Sequence, residues 1–546
     1  MKKKILPWLA GAVLATLLFI GLAGICTLRY ENSDDMLFVK GFMGFEGGKP
    51  VDFNLYTHTF LAWTLNTLSR AVPSVAWFSL FQLGLLWVSA AVTVKALVQL
   101  SGRKIWLGLT VGALYLGAFA LFASARLSYT STAAMAGAAA AAQLAACEKA
   151  ETRRGRIGGT ALAVLLLLGA YSLRQMTALP IGAYLGLVLC WRFFEGKNRR
   201  AVVVTAVSVA AVMLVFAGVR EWEIEARGMR DTLKWQQARI ELFDYTSFES
   251  NIEPALAADS GLTDEQVKLV QQWYFWDADI TVEALTALRE AYAGEETPGV
   301  VSKLTGFLTS NPRSVFALAA LGVLLALSLL SGRRFSQLAA LLAVLGGGVM
   351  LIYLCWRGRV LSRGLDTVFA PCAAVLMALA VHTAQHWLKK KTLAFLLCAA
   401  LALSTGADAA LTVQTLRKRP DTVSQQREAD LERFALANPE WLIVRTPNLL
   451  RDTRLMPDVS AGKPVNTVIW GDWYCRMPGW QHQMAAYGLD GNTFCLEDWT
   501  TAPLLFATAG EEAPEVLLCG IEADIGREPS VELYGTEGTL SFYVIR

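Results

Sequence analysis

A chain of 546 residues that is 54% hydrophobic and only 17% charged, with its apolar residues in long blocks, has the composition of a polytopic α-helical membrane protein. Its net charge of +3 is not gathered into a basic stripe, which argues against a nucleic-acid partner. Nine cysteines without CxxC or His-rich spacing argue against zinc.

Met1-Lys2-Lys3-Lys4 ahead of an apolar run has the charge pattern of a signal peptide, but the run at 5–28 is long and lacks a small-residue cleavage site. It predicts a retained first span with a cytoplasmic N-terminus. Taking apolar runs of about 20 residues as spans, we expect roughly eleven: near 5–28, 75–99, 104–124, 127–147, 157–175, 177–194, 201–219, 313–331, 335–354, 364–387 and 391–415. Basic residues occupy every second connection, at Arg103-Lys104, Lys149 to Arg156, Lys197 to Arg200, Arg333-Arg334 and Lys389 to Lys391, as an alternating topology in a bacterial cytoplasmic membrane demands. Segments 29–74, 220–312 and 416–546 then fall on the extracytoplasmic side. The expected organisation is a transmembrane module at 1–219 with its first outer loop at 29–74, an outer helical loop at 220–312, further spans at 313–415 and an outer domain at 416–546.

Within 29–74, apolar residues from Phe60 to Leu68 recur at helical spacing, which predicts surface helices with Tyr56 and Trp63 at headgroup depth and a break at Pro73. Ala133 to Ala146 predicts close helix packing in the fourth span. In 220–312, Thr263 and Gln266 fit a capping box that opens a helix through Trp273, and a second helix is expected over 281–292. The tail follows Arg417-Lys418-Arg419, which runs against the charge rule. It predicts a helix over 422–437 and short strands at 441–445, 465–470, 516–519, 531–534 and 540–545, with Gly535 to Gly538 as a closing turn. About 130 such residues suffice for a small α/β domain. Cys475 and Cys495 could pair there, leaving Cys519 over.

The candidate chemistry centres on Asn32-Ser33-Asp34-Asp35-Met36-Leu37-Phe38, just past the first span. Carboxylates at a membrane interface can accept a proton from a hydroxyl nucleophile or help hold a divalent cation. The plain alternative is a solvated helix end. Adjacent residues point apart, so one of Asp34 and Asp35 is expected to face the site. Asp35 is the preferred candidate, although the spacing leaves Asp34 open. Arg126, Arg174, Arg357, Arg359 and Arg363 all fall on the predicted outer side, where the charge rule disfavours them. A guanidinium suits phosphate because its planar fork donates paired hydrogen bonds, and snorkelling to lipid headgroups is the plain alternative. His58 could hydrogen-bond a substrate hydroxyl or phosphate, or serve a structural role facing the headgroups.

This layout over residues 1–415, with Ser33-Asp34-Asp35 in a first outer loop and arginines in later ones, resembles the GT-C membrane glycosyltransferases, in particular the protein-mannosyltransferase and aminoarabinose-transferase type. The resemblance implies a polyprenyl-phosphate sugar donor, an envelope glycan or lipid acceptor, and surrounding membrane lipids. It implies an inverting displacement with Asp34 or Asp35 as base and the five arginines as phosphate ligands. No nucleotide cofactor is implied, and a divalent cation stays open. The tail matches no domain of that family. The alternative is a transporter or flippase of lipid-linked sugars, in which the arginines bind phosphate during translocation. Few mid-span charges and no visible internal repeat argue against it.

Overall fold

Among the described residues, ten helices are long and apolar enough to cross a membrane, at Ile5–Ile25, Trp77–Ser101, Ile105–Ala125, Arg153–Leu173, Gln175–Glu195, Arg199–Ala226, Pro312–Leu329, Arg334–Trp356, Arg363–His382 and Lys391–Leu416. The structure is a computed structural model that describes residues 2–150, 152–196, 198–246, 248, 259–292, 299–357, 361–418, 422–447, 449, 453–460, 462–471, 473–510 and 514–546. Each of the ten helices falls on an expected span. The expected fourth span differs. Residues Tyr129–Ala146 do form a helix, but Thr130, Ser131, Thr132 and Gln143 dilute its apolar character, and all of its residues are buried. It is the central post of the bundle, packed by the helices Trp77–Ser101, Arg153–Leu173, Ala178–Glu195 and Ser362–His382. Alanine and glycine make that position possible, because short side chains let several helices approach one axis. Gly137 is one such contact, where an added Cβ would stand 2.5 Å from Ile181 Cδ1.

The first loop is not a pair of surface helices. Strand β1 (Arg29–Tyr30) pairs in parallel with β2 (Arg126–Leu127), and the helix Asp34–Met43 follows with Asp35 to Val39 and Gly41 to Met43 buried. Phe38 stacks on Trp473 of the C-terminal region with centroids 4.6 Å apart, which explains why this helix lies under protein instead of lying on lipid. The second helix, Thr59–Ala71, keeps the expected amphipathic character: Phe60 is exposed, and Trp63 donates through Nε1 to Glu223 Oε1 at 3.1 Å.

Beyond Ala226 come the helices Arg230–Tyr245, Asp264–Gln271, Val282–Tyr292 and Val300–Ser310. The capping box forms as expected, with Thr263 accepting from the Gln266 amide at 3.2 Å and Gln266 Oε1 accepting from the Thr263 amide at 3.0 Å. This region ends against the tail through an isolated bridge between Tyr274 and Gly471. A Cβ on Gly471 would stand 1.4 Å from the Trp273 carbonyl oxygen. Gly471→Ala must therefore displace backbone, and we expect a loss of about 1–3 kcal/mol or more, read as a lowered unfolding midpoint. An unchanged midpoint would show that this junction yields freely.

The tail contains the helix Thr422–Ala437 and a five-stranded sheet of β3 (Leu442–Arg445), β4 (Thr467–Ile469), β5 (Leu504–Thr508), β6 (Val531–Glu537) and β7 (Leu540–Ile545), in the order β4-β3-β5-β7-β6. The β4-β3-β5 pairs are parallel, whereas β7 is antiparallel to both β5 and β6. Period-two alternation sends Ile443, Leu505 and Phe542 toward Leu431 and Phe434, while Val444 and Phe506 join the large core with Trp470 and Trp499. Two expectations are corrected. Residues 516–519 are not a strand but part of the helix Glu515–Ile525, where Leu517 and Ile521 meet the core at helical spacing. The missing strand is β5, directly after Pro503. The closing turn centres on Gly538, at φ +59°, while Gly535 lies at an irregularity in the ladder. No disulfide joins Cys475 and Cys495. Cys475 is buried, and the Cys495 sulfur lies 3.5 Å from Asp498 Oδ2.

Candidate functional site

Ser33 precedes the helix Asp34–Met43, which puts both carboxylates in its first turn, where the helix dipole favours negative charge. The helical twist then separates them. Asp34 turns outward: its Oδ2 accepts from Arg363 Nη1 at 3.2 Å and from Asn32 Nδ2 at 3.0 Å, and its side chain keeps 26% exposure. Asp35 turns inward and is fully buried. Its Oδ1 accepts from Gln82 Nε2 at 3.0 Å and from the Tyr129 amide at 2.9 Å, at the start of the central helix. Gln82 in turn accepts from Thr132 Oγ1 at 3.2 Å. Asp35 Oδ2 is buried with no hydrogen-bond partner among the described residues.

Burial pushes the Asp35 carboxyl up to about 8, against the opposing pull of Gln82 and the Tyr129 amide. Near neutral pH it is mainly a protonated structural acid. Because its folded pKa lies above the ordinary 3.8, its stabilising contribution is complete below that value and is lost as pH rises through about 8. Asp35→Asn should therefore lose less thermal stability than the parent between pH 5 and pH 9. Part of the slope remains with Glu46, which burial also pushes up to about 8. Unfolding scans of the purified protein across that range check this, and parallel slopes would refute it.

Arg174 donates to the Tyr129 hydroxyl, and its guanidinium carbon lies 4.9 Å from that ring. Asp34, Arg363, Tyr129 and Arg174 thus form one polar wall, with Asp35 sealed behind it. The other expected residues are engaged elsewhere. Arg126 donates to the carbonyls of Thr27 at 3.1 Å and Ala125 at 3.2 Å, which ties the end of the first span to β2. His58 caps the helix Thr59–Ala71 through Nδ1, while Nε2 donates to the Phe216 carbonyl at 2.8 Å and the ring stacks on Phe216. Its role in this structure is structural. Arg357 lies 3.6 Å over the Tyr245 ring. Arg359 lies outside the described residues. Among those residues no group of three or more His, Cys, Asp or Glu is placed to hold a metal ion, and Asp34 and Asp35 diverge instead of converging on one point.

Sequence reasoning missed Gln82, Tyr129 and Thr132. Gln82 was detectable as an uncharged hydrogen-bonding side chain inside an apolar run. It also missed a second charged group, in which Arg313 Nε lies 3.3 Å from the buried Asp408 Oδ1 and the half-buried Asp366 sits beside Ser131. Arg313 opens the helix Pro312–Leu329 and Asp408 belongs to Lys391–Leu416, while Asp366 shares the helix Ser362–His382 with Arg363.

Comparison of the chain with family models, with curated proteins and with solved structures returned no match.

Proposed function

We propose that the protein is an integral-membrane glycosyltransferase that moves a sugar from a polyprenyl-phosphate donor to an envelope acceptor on the extracytoplasmic face, with its N-terminus in the cytoplasm and residues 416–546 outside. The observation that carries this reading is the half-open Asp34 carboxylate opposed by Arg363 at one end of an apolar helical bundle. Asp34 takes the proton of the incoming hydroxyl as general base. Arg363 and Arg174 meet the negative charge that develops on the departing lipid phosphate. Asp35 positions the helix that presents Asp34, and is not itself the base. This reverses the slight preference for Asp35, which spacing left open, because accessibility separates the two carboxylates. Transfer of labelled sugar from polyprenyl-phosphate donors by the purified protein tests the assignment, and donor turnover that survives loss of Asp34 overturns it.

One observation favours the transporter reading. Asp408 is a buried carboxylate within the apolar helix Lys391–Leu416, paired with Arg313 at the start of Pro312–Leu329, and an ionisable group inside a membrane helix is a placement that marks a translocation path. Movement of lipid-linked sugar across liposomes without any transferred product would favour that reading.

A further inference from the structure

A cavity lies at the opposite end of the bundle from Asp34. Its volume is about 450 Å³, and it is lined by Trp8, Lys95, Gln143, Gly155, Gly158 and Leu165, among others. That size falls within the range of about 300–1,000 Å³ common for small-ligand sites. Lys95 is the unusual member. It belongs to the membrane-length helix Trp77–Ser101, and its side chain is 7% exposed. Among the described residues its ammonium meets the Gln143 side-chain carbonyl at 2.6 Å and the Trp8 ring at 4.9 Å, and no carboxylate within ion-pair distance. An ammonium has three donors, so the one hydrogen bond leaves donor capacity and a full charge beside the cavity. A charge kept among apolar helices without a counter-ion is costly, which makes such residues markers of ligand sites.

Depth and opening define the occupant. Lys95 precedes the end of its helix by six residues, which at 1.5 Å per residue places it about 9 Å from the helix end, at the depth of lipid headgroups and glycerol esters. The outer walls, Trp8 at 48% exposure and Leu165 at 64%, open the cavity sideways toward the acyl-chain region. Exposed Arg153 and Arg154 begin the helix that carries Gly155 and Gly158, and so supply a basic rim. We propose that this cavity seats the phosphate of an anionic phospholipid, with Lys95 as its counter-charge, Gln143 orienting the ammonium, and the acyl chains leaving between Trp8 and Leu165. The site is separate from the Asp34 wall and does not depend on the reaction proposed there.

Full-length protein in neutral detergent, titrated with phosphatidylglycerol or phosphatidylcholine and read by native mass spectrometry, tests this. The parent should retain phosphatidylglycerol about tenfold more tightly than phosphatidylcholine, a difference of about 1.4 kcal/mol. Lys95→Gln should abolish the preference, and Lys95→Arg should keep it. Gly158→Leu provides a variant that leaves the charge in place: a Cβ there meets nothing within 4 Å, so the helix tolerates it while the added side chain fills the mouth. It too should lose the preference. Retention of the preference in both Lys95→Gln and Gly158→Leu would overturn the proposal. So would displacement of phosphatidylglycerol by inorganic phosphate at equal concentration, since that would assign the site to a free anion.

Discussion

Asp34→Asn lowers sugar transfer by about 10²–10⁴-fold, the contribution of a positioned general base, while the protein stays folded. The substitution is nearly isosteric and keeps an oxygen for Asn32 and Arg363, so the expected loss is in turnover more than in donor affinity. Arg363→Gln removes the guanidinium from the same wall. If both act in one step, the double variant should be little worse than the slower single variant, because groups that work as a unit are not additive. Asp35→Asn is the internal control: its amide still accepts from Gln82 and Tyr129, so transfer should change far less. Steady-state transfer assays on the four variants decide the matter. An Asp34→Asn protein with parental activity would remove Asp34 as base, and an Asp35→Asn protein that alone is inactive would restore Asp35.

Lys40→Met should destabilise the protein by about 3–5 kcal/mol, the usual result of stranding one partner of a buried ion pair. Lys40, on the helix that presents Asp34, contacts Glu428 of the helix Thr422–Ala437, and Glu428 is 1% exposed. Burial alone would push the Glu428 carboxyl up, but Lys40 and then Arg445 outweigh it and hold the group at about 2. A depressed carboxyl contributes stability that is complete above its ordinary value of 4.5 and is lost as pH falls toward about 2. The parent should therefore loosen between those values, and Lys40→Met should already be loose at neutral pH. Lys40→Met combined with Glu428→Leu should recover part of the loss, because the buried carboxylate is no longer stranded, although Arg445 then loses Glu428 as a neighbour. Thermal unfolding and limited proteolysis near residue 428 give the readout, and a double variant no better than the single one would contradict this account.

The long apolar helices were legible because length and hydropathy are local properties. Tyr129–Ala146 was legible as a helix but not as the central post, since its burial depends on neighbours such as Arg153–Leu173 and Ser362–His382 that its own residues do not specify. In the tail, Leu504 to Thr508 and Glu515 to Ile525 are both short apolar runs, and pattern alone assigned the strand to the wrong one. The candidate wall joins Asp34 to Arg363 across 329 residues. Charge placement could list both residues, but only tertiary packing pairs them. The same packing binds His58 and Arg126 to backbone carbonyls, roles that residue type does not reveal.

The segment after Thr453 lies across the first loop. The Thr453 carbonyl accepts from the Tyr30 amide at 2.8 Å, and Lys463 donates to the carbonyls of Met43 at 2.7 Å and Pro73 at 2.9 Å. This sets an order of assembly. Lys40 is made 388 residues before Glu428, an interval of roughly 20–80 s at about 5–20 residues per second. Throughout that interval the helix bearing Asp34 lacks Trp473 over Phe38 and the counter-charge of Glu428, although Phe78 and Tyr129 already pack on Phe38. A chain halted before residue 416 should hold its apolar helices and the contacts of Asp34 and Asp35 with Arg363, Gln82 and Tyr129. It should leave the Lys40 and Trp473-facing side of this helix uncovered, so that side of the candidate site matures only with the last part of the polypeptide.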